Sequence, residues 1–346
     1  MKIAVVTSHP PFVQGGHLVI AKGLVRALLE SGHSAELILT PQNRFGRQGA
    51  AYLSTWLTDV SVDHASQAVD QVISLRYPSY AVRHPVHVCW INHRMREYYD
   101  QWDRFRSSLS WKGKFKESFR RRLIHAADGY LLKRNVRKLF SQSKTIQNRL
   151  QSWGGIPSEV LYPPPPPRPY RCDNYGDYFF IASRLTPLKR IHLVIEALAQ
   201  READGIRCVI AGSGESLLEL KSRIVEYGLS ERVRLVGAIS DEELVDYLAC
   251  CRAVCFPTYA EDYGLVSVEA FASRKPVITC VDSGGPAELV IDRKNGMVCS
   301  PTAESLAGAM RMLIDDRNLA ERMGDSAYKC SAELTWSRTI EKLILT

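Results

Sequence analysis

Short apolar runs alternate with longer amphipathic stretches along almost the whole of this chain. Residues 3–7, Ile-Ala-Val-Val-Thr, form a continuous apolar run suited to a strand covered on both faces. The stretch that follows, Gly16–Glu30, places Leu18, Ala21, Leu24 and Leu28 at helical spacing, and Gly32 stops it. The same alternation predicts strands at 35–39, 71–75, 86–91 and 139–141. Five more are predicted at 179–183, 207–211, 233–236, 253–256 and 277–281, each followed by a helix. A helical tail closes the pattern at 336–345. Such alternation argues for α/β layers on parallel sheets. It breaks once, at Leu161-Tyr-Pro-Pro-Pro-Pro-Pro-Arg-Pro169. A proline run continues neither helix nor sheet and holds the chain stiff and extended, so it reads as an interdomain linker. The expected division is 1–163, 164–330 and a terminal helix within 331–346.

Three strand-to-helix turns of the second half carry chemistry. Tyr259-Ala-Glu-Asp-Tyr-Gly-Leu-Val-Ser-Val-Glu-Ala-Phe-Ala sets Glu261 and Glu269 eight positions apart around a helix predicted at Leu265–Ala272. The N-terminus of a helix offers unpaired N–H groups and partial positive charge, which attract phosphate. Carboxylates beside such a site would repel phosphate and suit sugar and ribose hydroxyls. Upstream, Phe179-Phe-Ile-Ala-Ser-Arg-Leu-Thr-Pro-Leu-Lys-Arg190 leads from a buried strand to Arg184 and Lys189, just before a helix at 191–199. Two cations at a helix start are mildly unfavourable unless an anion binds there. Downstream, Val281-Asp-Ser-Gly-Gly-Pro-Ala-Glu288 is another glycine-rich turn. Gly212 and Gly214 occupy the turn after the 207–211 strand, where a tight bend alone would explain them. The blander reading of the glutamates and cations is a set of solvated helix faces.

Taken in order, these segments resemble the retaining glycosyltransferases of family 4, which have the GT-B fold. The resemblance covers most of the chain and adds His9-Pro-Pro-Phe-Val-Gln-Gly-Gly-His17, whose Gly15 and Gly16 match the family's glycine pair after the first strand. It implies two Rossmann-like, doubly wound parallel-sheet domains facing a central cleft. The first would be the acceptor side and the second would bind the nucleotide-sugar donor, with the last helix crossing back to the first domain. By the same resemblance Arg184 and Lys189 bind the donor diphosphate and Glu269 holds the ribose hydroxyls. Glu261 contacts the donor sugar and steadies charge at the reacting carbon. Backbone at Asp262, Tyr263, Gly264 and Leu265 completes the donor site, with Gly212 beside it. His93, just past the 86–91 strand, matches a histidine that reaches the reaction centre in many members, although Ile91 stands where relatives often carry a second histidine. Arg94, Tyr98, Tyr99 and Asp100 are expected on the acceptor side. A hexose-type sugar, uridine rather than guanosine diphosphate, and a glycan or lipid-linked acceptor are implied. A non-catalytic scaffold of the same fold and a sugar-nucleotide epimerase remain alternatives.

Composition bounds this picture. At 346 residues with 45% hydrophobic and 24% charged residues, two self-sufficient cores are expected. The opening run is too short for a signal peptide, and no apolar run reaches bilayer length, so a cytoplasmic protein is expected. Nine scattered cysteines without a C-x-x-C pair suggest reduced thiols, with Cys208, Cys255 and Cys280 in apolar runs. No two aspartates flank a single residue, so no metal or other cofactor is expected, and Arg184 and Lys189 would take the cation's part. Charge is uneven. Residues 1–163 hold 23 Lys and Arg against 11 Asp and Glu, a net of +12, while the remainder has 22 against 26, a net of −4. Twelve cations and two acids lie between Arg104 and Lys138, with Tyr98, Trp102, Phe105 and Leu109, then Trp111, Phe115, Phe119 and Leu123, at helical spacing. This segment suits a helix lying on an anionic leaflet, or an aromatic stripe that packs into the first domain amid solvated cations. No nucleic-acid recognition motif accompanies the charge.

Overall fold

The computed structural model describes residues 1–12, 15–42 and 45–345. The chain divides between Pro163 and Pro164 into two compact units, and the segment from Trp336 onward belongs to the first. In that first unit β1 (Lys2–His9), β2 (Ser34–Pro41), β3 (Gln71–Ser74), β4 (His87–Ile91), β5 (Lys138–Ser141) and β6 (Glu159–Val160) form one sheet in the order β2-β1-β3-β4-β5-β6. All its pairings are parallel. Its helices are α1 (Gly16–Glu30), α2 (Gln48–Leu57), α3 (Trp102–Ser107), α4 (Trp111–Tyr130) and α5 (Lys144–Ser152).

The second unit repeats the plan. β7 (Tyr178–Ala182), β8 (Arg207–Ala211), β9 (Val233–Gly237), β10 (Ala253–Cys255), β11 (Val277–Cys280) and β12 (Gly296–Cys299) lie in the order β12-β11-β10-β7-β8-β9. These pairings are parallel too. The intervening helices are α6 (Ile191–Leu198), α7 (Leu217–Glu226), α8 (Asp241–Cys250), α9 (Leu265–Ala272), α10 (Gly285–Leu289), α11 (Ala303–Asp315) and α12 (Arg317–Ala332). Side chains of β7 explain why its strand is apolar at every position. Phe179 and Ile181 join the core built with α6 and α11, while Phe180 joins the one built with α8 and α9. Cys208, Cys255 and Cys280 are buried in the first of these cores. β12 escaped the sequence pattern because it is four residues long and begins at a glycine, which marks no period. Each unit is thus a doubly wound parallel α/β sheet, as expected of the GT-B class. Among the described residues no helix is long and apolar enough to cross a membrane.

The final helix, α13 (Trp336–Leu343), closes the first unit. Trp336 meets Trp90 edge-on with ring centroids 6.4 Å apart. Its seat exists because α1 has Gly23 in mid-helix, where a Cβ would lie 2.6 Å from the indole. The amide of Gln71 brackets the helix end, donating to the Leu343 carbonyl at 2.7 Å and accepting from Leu345 N–H at 2.9 Å.

α4 turns the usual amphipathic arrangement inside out. Its inward face carries Glu117, Ile124 and Asp128, all buried. Asp128 accepts hydrogen bonds from Tyr52, from Tyr80 at 2.5 Å and from Tyr99 at 2.6 Å. Burial raises its pKa, against the three hydroxyl donors and the nearby Arg94 charge. Glu117 accepts from Tyr98 and Arg120. The outward face holds Trp111, Phe115, Phe119 and Leu123, which are 76, 82, 61 and 56% exposed. The aromatic stripe therefore splits. Tyr98 and Trp102 pack into the unit with Phe105, whereas the α4 half stands in solvent.

Candidate functional site

In a doubly wound sheet, loops leave the carboxyl ends of two neighbouring strands in opposite directions where the strand order reverses, opening a crevice. In the second unit that point lies between β7 and β10. The loop after β7 carries Arg184 and Lys189, and the loop after β10 carries Glu261, Asp262, Tyr263 and Gly264. The two loops are joined by the Tyr259 N–H, which donates to the Leu188 carbonyl at 2.8 Å. Lys189 Nζ lies 2.5 Å from Glu261 Oε2, and both side chains are mostly buried. The structure thus brings together two residues that are 72 positions apart. Arg184 stands exposed on the same loop.

Neighbouring groups hold this pair in place. Arg190 adopts a left-handed conformation ahead of α6 and forks onto Asp282 at 2.8 and 2.7 Å, with its guanidinium 4.8 Å from the Tyr259 ring. That fork ties the loop after β7 to the loop after β11. Glu261 in turn donates its N–H to the Ser283 carbonyl at 2.8 Å and accepts from Gly285 N–H at 3.0 Å. A Cβ at Gly284 would sit 2.5 Å from the Glu261 carbonyl oxygen, so the glycine-rich turn at 281–288 supports the glutamate loop. Gly264, the residue before α9, has φ +82°, and a Cβ there would meet Phe256 at 2.7 Å and Pro286 at 2.8 Å. α9 then starts at Leu265 with N–H groups that have no acceptor within the helix.

Glu269, on the inward side of α9, is buried and accepts from Arg168 and from the Tyr170 hydroxyl at 3.2 Å, both at Oε1. Arg168 also pairs with Asp241 at 2.8 Å. Burial raises the Glu269 pKa, while the Arg168 charge and the Tyr170 hydrogen bond pull it back. Burial works against the Arg168 charge as well, but Asp241 and Glu269 outweigh it and its pKa rises. The sequence pattern does not single out Arg168, Tyr170, Arg190 or Asp282. Arg168 is a single cation in a proline run, and nothing in its local pattern points to a carboxylate 101 positions away. Arg190 directly follows Lys189, and that adjacency was the available signal.

The remaining sequence candidates fall as follows. Gly212 has φ +134°, and a Cβ there would overlap the Ser183 carbonyl. Its N–H donates to Gly237 at 2.6 Å. The glycine is needed where the loops after β7 and β8 run against each other. Gly15 and Gly16 stand at the start of α1, at the first unit's own reversal point between β1 and β3. Val13 and Gln14 of that loop lie outside the described residues. His93 follows β4 with Nδ1 2.8 Å from the Arg94 carbonyl oxygen, and lines a pocket with Arg94, Arg96, Tyr99, Asp100 and Arg149. Of the residues expected on the acceptor side, Arg94, Tyr99 and Asp100 line that pocket and Tyr98 does not. Arg94 is buried, donates to the Trp153 and Arg149 carbonyls, and stacks 3.8 Å from the Tyr99 ring. Tyr98 and Tyr99 are buried because Glu117 and Asp128 take their hydroxyls, and Asp100 is paired with Arg96 and Arg149.

Residues 171–330 match the family described as Glycosyl transferases group 1. The chain is 25% identical over 242 residues to an uncharacterized glycosyltransferase of Methanocaldococcus jannaschii, covering 63% of this chain and 64% of that protein. It is 38% identical over 111 residues to the alpha-1,3/1,6-mannosyltransferase ALG2 of Dictyostelium discoideum, covering 32% of this chain and 26% of that one. These matches span from about a quarter to just under two thirds of the relatives' lengths. Among solved structures, Anabaena Alr3699/HepE in complex with UDP and glucose superposes with a TM-score of 0.70 at 18% identity, covering 98% of both chains.

Proposed function

We propose that this chain, whose residues 171–330 match the Glycosyl transferases group 1 family, is a retaining, metal-independent glycosyltransferase. It moves a hexose-type sugar from a nucleoside diphosphate sugar to a glycan or lipid-linked acceptor. The observation that carries the reading is the Lys189–Glu261 pair at the reversal point of the second sheet, beside the start of α9. As the glycosidic bond breaks, charge gathers on the departing diphosphate. Lys189 provides a compact cation for it, exposed Arg184 a planar fork, and the first N–H groups of α9 an oriented dipole. Release of Lys189 to the phosphate frees Glu261 for the sugar hydroxyls and for positive charge at the anomeric carbon. Glu269 uses Oε2 for the ribose hydroxyls while Arg168 and Tyr170 hold Oε1. Uridine diphosphate is the preferred nucleotude carrier, a reading supported by the fold neighbour that binds UDP and glucose. No carboxylate nucleophile is assigned, so the acceptor attacks the face the diphosphate leaves. From the first unit His93, Gly15 and Gly16 are assigned to the donor by resemblance alone. The protein works on the cytoplasmic face of an anionic membrane, held there by α4, whose outward face is aromatic and whose two acids are both buried.

The deciding experiment incubates the protein with UDP-glucose and acceptor extracts and follows uridine diphosphate release and anomeric configuration. Lys189→Ala should cost on the order of 100-fold in rate, as the loss of one preorganised electrostatic donor does. Glu261→Gln should fall comparably, and chelator should change nothing. Full activity in either variant sinks the assignment. An inverted product sinks retention, and loss in chelator sinks metal independence. Sugar isomerisation without acceptor would point to an epimerase instead.

A further inference from the structure

Between α2 and α4 the first unit carries an open groove of about 780 Å³. Tyr52, Leu53 and Trp56 line one wall, and Leu123, Ala127 and Leu131 the other. Arg47, exposed ahead of α2, and Arg120, held by Glu117, bring positive charge to the lining. Leu123 also belongs to the exposed aromatic stripe of α4, so the groove is continuous with that outward face.

We propose that this groove binds the hydrocarbon chain of a phosphate-linked lipid drawn from an anionic bilayer, with Arg47 taking the phosphate. The idea that this lipid is the acceptor rests on the glycosyltransferase reading above; the chain site itself does not. Aromatic and branched aliphatic walls with arginines in the lining suit an amphiphile with an apolar chain and an anionic head. A free sugar would leave the apolar walls wet. A second copy of this chain would set cations against cations, because α4 carries Lys112, Lys114, Lys116, Arg120, Arg121 and Arg122 while its acids point inward. An apolar face rimmed by one sign of charge and opening into an apolar groove is the arrangement that a leaflet and one of its lipids would fill together.

Trp56 supplies the readout. Dodecyl phosphate brominated on its chain, kept below its micelle concentration, should quench the full-length protein saturably, and Trp56→Phe should remove that quenching. Affinity should rise with chain length by up to about fourfold per methylene. Leu53→Glu, at an exposed edge that tolerates charge in the folded protein, should weaken binding at least tenfold, and Ala127→Phe should do so by filling the groove. Uridine diphosphate binding should be unchanged in Leu53→Glu. Absence of saturable quenching, or equal affinity in wild type and Leu53→Glu, overturns the proposal. Turnover of UDP-glucose with no chain binding would leave the glycosyltransferase reading and remove the groove. Chain binding by a protein that binds no nucleotide sugar would do the reverse.

Discussion

At the scale of single residues, the structure assigns protonation states that solution measurements can check. His87 is buried between the Ser74 hydroxyl at 2.8 Å and the Asn135 carbonyl at 3.0 Å, and burial lowers its pKa from 6.5 to about 4. The unfolded chain therefore takes up a proton at a higher pH than the folded one. Stability from this residue is full above pH 6.5 and falls as the pH drops toward 4, by up to about 3 kcal/mol. Urea unfolding across that range should show the loss, and His87→Gln should flatten it. Glu269 is the opposite case, an acid whose folded pKa is raised by burial. The ribose-binding role proposed for it requires the carboxylate, so it should be present above that pKa and be lost as pH falls through it. Arg168→Ala removes the charge that keeps the carboxylate ionised, so nucleotide affinity should weaken at neutral pH and recover as the pH is raised. Titrations of uridine diphosphate at several pH values check this, and a pH-independent loss would argue that Arg168 acts only through packing.

At the scale of elements, α4 is the informative one. Its inward face is fixed by Tyr52, Tyr80 and Tyr99 on Asp128 and by Tyr98 on Glu117, so its apolar face cannot turn inward without breaking those bonds. Phe115→Asp with Phe119→Asp should leave stability nearly unchanged, since both rings already stand in water. Sedimentation with vesicles should then drop sharply. In the wild type it should rise with anionic lipid content and fall as salt screens the attraction. Indifference to lipid charge would favour a soluble acceptor. The helical period at 111–123 was legible in the sequence, but which face is inward was not. An aromatic stripe reads as core until partners are found for the two acids on the opposite face.

At the scale of the whole molecule, the first unit is discontinuous in the chain and the second is not. Deleting the chain from Trp336 onward removes the buried Ile340 and Leu343, which belong to the first unit. That should destabilise it by about 4 kcal/mol or more and lower its melting on the order of 10 °C. Calorimetry of the truncated protein checks both parts. The sequence by itself determined the α/β class, the positions of most strands, the proline division and the segments holding Arg184, Lys189, Glu261 and Glu269. These are local properties: a buried parallel strand must be apolar throughout, and a turn into a helix needs particular residues at short spacing. Only the tertiary structure decided what those residues touch. It set Lys189 on Glu261, filled the Glu269 site with Arg168 from the linker and Tyr170 just after it, and gave Gly212 to a loop crossing. It also buried Arg94, Tyr98 and Tyr99 and turned the aromatic face of α4 outward. Each of these depends on pairing between distant segments. Periodicity reports that a residue belongs to a face, whereas the strand order and the partners across it decide where that face points.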